Sequence, residues 1–250
     1  MHPLAVTRWQ SRLPEPSGNG KLTEYLQFGR AVLRQFLPVA TDLIQISCES
    51  PDNTAIERAV REVRKGGVVG VPTDALYVLV ADPFNLAAVG RVFAAKGRES
   101  IRSLPLAVSD TLMAEDLAKE LSSRFYILAR HFWPGPLTMI VPAAAKVPLK
   151  VTGNTGRLAM RHANSNPLNL MVEKIGHALI ATSANRSGEP TLSSGIELFA
   201  QMDGQLNLVL DGGLCTGPGS TTVDITEPYW RVIKEGAVSE KDIAERLQAT

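Results

Sequence analysis

Cysteine, aromatic side chains, net charge and long apolar runs are all scarce in this chain of 250 residues. Its two cysteines, Cys48 and Cys215, are too few for a disulfide framework or a cysteine-rich zinc site, and the chain reads as intracellular. Twenty-six basic against 25 acidic residues leave a formal charge of +1, and aromatics make up only 6%. That balance speaks against a wholly basic nucleic-acid binder with interleaved stacking residues, while a local basic groove stays open. No run approaches the ~20 apolar residues that cross a bilayer. G-x-x-x-x-G-K-[ST] is missing, as is a G-x-G-x-x-G after a strand, so the chain has neither a P-loop nor a dinucleotide fingerprint. His2, His131, His162 and His177 are scattered, with no H-E-x-x-H or C-x-x-C to build a transition-metal site. Ser183 lacks the flanking glycines of a nucleophile elbow, which argues against a serine hydrolase.

What is present is a globular mix, 44% hydrophobic and 20% charged, sufficient for a sizeable core. Residues 1–20 are rich in Pro, Ser, Gly and Asn without periodicity and read as a mobile tail. Leu22, Leu26, Leu33 and Phe36–Leu37 then recur at helical spacing between a Thr23 cap and a Pro38 stop. This arginine-bearing, acid-poor start reads as an accessory helix or, alternatively, an organelle transit peptide. The organisation expected is an N-terminal extension over 1–41 and one domain over 42–250.

From residue 42 onward the pattern predicts strands at Leu43–Ser47, Val68–Val71, Leu104–Val108, Leu137–Val141, Leu158–Arg161, Ala178–Thr182, Leu206–Leu210, Thr221–Ile225 and Trp230–Ile233. Helices are predicted at Asn53–Arg64, Asn85–Lys96, Pro167–Ile175, Ile196–Met202 and Glu240–Leu247, with one long helix over Ala114–Phe132. Interleaved helices and strands without repeats give an α/β class built on a large twisted mixed sheet flanked by helices.

Ligands of open α/β sheets sit beyond strand ends, so polar residues there carry the functional weight. Pro72-Thr73-Asp74 follows a buried strand; it can hold a small polar substrate or simply make a turn. Lys96-Gly97-Arg98 offers two cations to phosphate oxygens, although basic residues also complement a helix C-terminus. Ser183-Ala184-Asn185-Arg186-Ser187-Gly188 leaves room for a nucleotide at a strand exit, or is a plain polar loop. The glycine-rich run from Asp211 to Thr221 can form an anion nest or a long connection. Phe132-Trp133-Pro134-Gly135-Pro136-Leu137-Thr138 reads as scaffold.

In this order the segments resemble the YrdC/Sua5-type threonylcarbamoyl-AMP synthases. The motifs are Pro72-Thr73-Asp74, Lys96-Gly97-Arg98, Trp133 to Thr138, Arg161, Ser183-Ala184-Asn185 with Ser187-Gly188, Ser220-Thr221 and Lys234-Glu235-Gly236-Ala237. The resemblance implies a single YrdC-like domain with a concave basic face. It implies condensation of L-threonine, bicarbonate and ATP into threonylcarbamoyl adenylate with release of pyrophosphate. Mg²⁺ would be held mainly by phosphates, and a downstream transferase would modify adenosine 37 of ANN-decoding tRNAs. By that likeness Thr73, Arg161 and Ser220 hold threonine, while Lys96, Arg98, Ser183, Asn185 and Lys234 line the ATP side. Lys96 and Arg98 are then the catalytic cations, acting by fixed positive charge on a transition state rich in negative charge.

The chain departs from that pattern at several points. Val78 stands where the family has glycine, Glu99 replaces a common proline and the loop after Arg98 is longer. His162-Ala163 follows Arg161, and Lys234 replaces a terminal arginine. These departures leave an alternative, a catalytically divergent paralogue that binds RNA or a nucleotide, including tRNA or double-stranded RNA, on the same face. The expected location is cytoplasmic, without membrane association, or an organelle if the extension directs it there.

Overall fold

Residues 40–98 and 102–248 are described by a computed structural model of the chain. The tail and helix expected within residues 1–39 lie outside the described residues. The elements follow in chain order: β1 (Asp42–Gln45), α1 (Asn53–Arg64), β2 (Val69–Val71), β3 (Val78–Ala81), α2 (Leu86–Lys96), β4 (Leu106–Ala107), α3 (Thr111–Leu117), α4 (Ser123–Phe132) and β5 (Leu137–Pro142). Then come α5 (Leu149–Thr152), β6 (Arg157–Arg161), α6 (Asn166–Ile175), β7 (Leu179–Ser183), α7 (Gly195–Met202), β8 (Leu208–Asp211), β9 (Thr221–Asp224), β10 (Arg231–Lys234) and α8 (Glu240–Gln248).

Local signals explain the helix ends. Asp52 accepts from the amide of Thr54 to start α1, and Asn85 accepts from Ala87 and Ala88 to start α2. Gly97 closes α2 in the left-handed region at φ 57°, a conformation glycine adopts without strain. Two expectations fail. The long helix over Ala114–Phe132 is broken, because Ala118 turns extended and bridges Ala143, and the amide of Lys119 donates to Pro142 O. Tertiary pairing there overrides a run of good helix formers. The strand β3 was not foreseen, although it lies inside the sheet.

All ten strands form one mixed sheet in the order β1-β8-β2-β3-β7-β4-β6-β5-β9-β10. Alternation divides its side chains between two apolar layers. Val69 and Val71 of β2, Val80 of β3 and Leu208 and Leu210 of β8 pack with Ile56, Val60 and Val63 of α1 and Leu168, Met171 and Val172 of α6. Leu79, Met139, Leu158, Met160 and Val209 face the other layer, with Val89 and Phe93 of α2 and Phe125 and Leu128 of α4. Each such fully buried side chain contributes roughly 1.5–3 kcal/mol. The layer under α1 and α6 does not extend across the whole sheet. Small residues continue the same face on β4, β6 and β7, among them Ala107, Ala159 and Ala181, and there the sheet floors an open cavity of about 370 Å³. The described helices include none long and apolar enough to cross a membrane.

Candidate active site

Lys96 is the last residue of α2 and only 2% exposed. Its ammonium donates to Ser183 O, to Ser183 Oγ at 3.3 Å, to Asn185 O at 3.1 Å and to Asn185 Oδ1 at 2.9 Å. Ser183 Oγ in turn donates to Asn185 Oδ1 at 2.6 Å, and Asn185 Nδ2 donates to Glu189 O at 2.6 Å. The main chain closes the clasp, with the Ser187 amide donating to Lys96 O at 2.8 Å. Burial pushes the Lys96 pKa down to about 8, and the nearby Arg98 adds to the depression. With a pKa of about 8 the ammonium is still mostly charged at neutral pH.

Gly97 turns the chain so that Arg98 reaches the cavity. The Arg98 guanidinium lies 5.5 Å from the Phe93 ring centroid and donates from Nη2 to Ser103 O at 3.0 Å. Its Nε is buried without a hydrogen-bond partner among the described residues. Burial, and secondarily Arg102, lowers its pKa from the usual arginine value.

Across the cavity, Arg161 ends β6 and donates from Nε to Gly135 O at 2.8 Å and from Nη2 to Asp74 Oδ1. Burial lowers the Arg161 pKa, and the charge of Asp74 opposes that shift. Thr73 Oγ1 caps its own turn, accepting from Ala75 N and Leu76 N and donating to Leu76 O at 2.7 Å. Ser220 Oγ accepts from Thr138 Oγ1 at 3.1 Å, and Lys234 extends from the exposed strand β10 beside Gly219.

Thr73, Arg98, Arg161, Ser183, Ser220 and Lys234, all singled out in the sequence, line this one cavity. Lys96 and Asn185 do not line it; they stand behind Ser183 and hold it. Three cations and no carboxylate occur among the described lining residues, which suits a polyanion. Val78 lines the cavity too and pairs in register with Ser183. Sequence reasoning missed two participants. Thr138 was hidden in a segment read as scaffold, yet its hydroxyl is bonded to Ser220. Tyr77 is fully buried, with its hydroxyl donating to Gly213 O at 2.8 Å and accepting from Gly212 N at 3.0 Å, and it ties the glycine-rich run to the cavity floor. A tyrosine just before an apolar strand was the signal available for it.

The depressed pKa of Lys96 sets opposite trends in function and stability. Its charge is present below about pH 8 and leaves as pH rises through that value. Turnover that depends on this charge is therefore expected to fall above about pH 8. Between about 8 and the ordinary 10.5 the unfolded chain binds the extra proton, so stability from this group rises with pH in that window. Melting curves of wild type and Lys96→Met across pH 7–10 check the sign: the wild type gains on the variant as pH increases.

Comparison with known proteins gives consistent likenesses. The Sua5/YciO/YrdC family pattern, described as "Telomere recombination", matches residues 61–236. Threonylcarbamoyl-AMP synthase of Pyrococcus abyssi is 34% identical over 166 residues, covering 66% of this chain and 49% of the relative. The chain thus spans about half the length of that relative. Threonylcarbamoyl-AMP synthase of Nitrosococcus oceani is 31% identical over 169 residues, covering 66% of this chain and 91% of the relative. Among solved structures, P. abyssi Sua5 complexed with L-threonine superposes with a TM-score of 0.79 at 31% identity, covering 83% of this chain and 61% of that one. E. coli YciO shares the fold, with a TM-score of 0.76 at 23% identity over 81% of this chain and 99% of that one.

Proposed function

Because the chain belongs to the Sua5/YciO/YrdC family, we propose that it is an L-threonylcarbamoyladenylate synthase, a nucleotidyltransferase acting on ATP for tRNA modification. The observation that carries this reading is one cavity in which Arg98, Arg161 and Lys234 face the hydroxyls of Thr73, Ser183 and Ser220. Threonine's amine adds to the carbon of bicarbonate and water leaves, giving a carbamate, and a carbamate oxygen attacks the α-phosphorus of ATP. The α,β-bridging oxygen leaves with pyrophosphate, and the product is a mixed anhydride with AMP. Several negative charges crowd the transition state, so fixed cations and positioning supply the catalysis without a protein nucleophile. Arg98 is suited to phosphate oxygens by its planar fork and Lys234 by its point charge, while Lys96 and Asn185 keep Ser183 in place. Mg²⁺, arriving with ATP, would be held mainly by phosphate oxygens and would add positive charge there. The product passes to a cytoplasmic transferase that acts on tRNA.

The test is pyrophosphate release by the purified full chain with ATP, bicarbonate and L-threonine. Release that requires threonine supports the synthase. ATP-dependent release indifferent to threonine, or RNA retention with no turnover, refutes it.

A further inference from the structure

Arg161 has two hydrogen-bonding edges, and the protein has already spent one of them. Nε is held by Gly135 O at 2.8 Å and one Nη2 hydrogen by Asp74 Oδ1, in an ion pair whose side chains are 12% and 15% exposed. Both holders are themselves fixed. The Gly135 amide donates to His162 O at 2.8 Å, and the Trp133 indole donates to Leu137 O at 2.7 Å. A Cβ on residue 135 would come within 2.5 Å of Phe132 O, so only glycine fits there. Asp74 stands on the turn braced by Thr73 Oγ1 and lines a neighbouring hollow of about 260 Å³ instead of the cavity. Nη1 of Arg161 makes no hydrogen bond among the described residues.

Resting on the synthase reading, we infer that Asp74 and the Gly135 carbonyl are positioning groups for the amino-acid substrate: they fix Arg161 so that its Nη1–Nη2 end meets the substrate carboxylate as a two-pronged fork. This assigns a task to the Trp133–Pro136 segment and to the turn carboxylate, neither of which lines the cavity. It also explains a carboxylate beside an anion-binding cavity. An arginine half-neutralised by a fixed counter-ion attracts a triphosphate weakly but keeps its directional match to a single carboxylate. Arg98 and Lys234, which pair with no carboxylate among the described residues, remain for the phosphates.

The experiment compares full-length wild type, Asp74→Asn and Asp74→Glu in pyrophosphate release with L-threonine and ATP varied separately, alongside melting midpoints. Asp74→Asn is expected to raise KM for threonine about 10–100-fold, by analogy with removing the partners that orient metal-binding side chains. KM for ATP and the melting midpoint are expected to stay near wild type, and Asp74→Glu to recover most of the threonine affinity. An unchanged threonine KM in an active Asp74→Asn enzyme overturns the inference alone, as does a rise confined to ATP. Equal losses in both KM values with lowered melting in both variants make the pair merely structural and also overturn it. Wild type without threonine-dependent release sinks the synthase reading, and the inference with it.

Discussion

Replacing Lys96 by methionine is expected to lower threonine-dependent pyrophosphate release by up to about 10²-fold, the scale for letting a positioned group shift by about 1 Å. Methionine roughly keeps the stem, so the change isolates the ammonium. Without it Ser183 O, Ser183 Oγ, Asn185 O and Asn185 Oδ1 lose a shared donor, and the hydroxyl at the cavity wall keeps only its bond to Asn185 Oδ1. Two stability effects oppose each other. Orphaned buried oxygens cost about 1–3 kcal/mol, while removing a buried charge relieves desolvation. Turnover is therefore the decisive measurement. A variant with near wild-type kcat would show that the charge plays no part.

Gly236→Ala is expected to damage both folding and activity. A Cβ there would lie 2.6 Å from Gly219 O, 2.6 Å from the carbonyl carbon of Ser220 and 2.7 Å from Thr221 N. All three are backbone atoms, so no side chain can swing away. The segment cannot simply slide, because Thr221 Oγ1 accepts from Gly236 N and Val238 N and donates to Val238 O. Ala237 N also donates to Gly219 O. Overpacking of this kind costs about 1–3 kcal/mol. That corresponds to about 2–4 °C in melting midpoint per kcal/mol for a chain of this size. Displacing Ser220 by about 1 Å would cost turnover up to about 10²-fold. Wild-type melting and kinetics in this variant would refute the tight approach.

The same close contact explains why the glycine in Lys234-Glu235-Gly236-Ala237 was legible as a motif but not as a mechanism: its clash partners lie fifteen or more residues earlier. Helices α1 and α2 were readable to their ends because Asp52, Asn85 and Gly97 act locally. The break between α3 and α4 was not, since Ala118 leaves the helix to pair with Ala143 across the fold. Val78–Ala81 is a short apolar run of four with no period to distinguish strand from helix, and only its neighbours β2 and β7 define it. In the site, residue types pointed to Ser183 at a strand exit and to Arg98 at a helix end, while Arg161 came from the family resemblance alone. The difference between lining the cavity and bracing it was invisible, because it depends on which oxygens surround Lys96. Asp74 shows the same limit: its place at a strand exit left a substrate ligand or a plain turn open, and the pairing of its carboxylate with Arg161 depends on the fold.

Lys234 sits on β10, an edge strand, which among the described residues pairs only with β9 and slips register between Val232 and Lys234. A rim strand with one neighbour detaches at far lower cost than an interior one. Fraying of four residues would thus withdraw one cation from the cavity while the interior strands that carry Arg161 and Ser183 stay paired. Ligand occupancy should accordingly be recorded in the hydrogen-exchange protection of residues 231–234, well before any sign of it in the centre of the sheet.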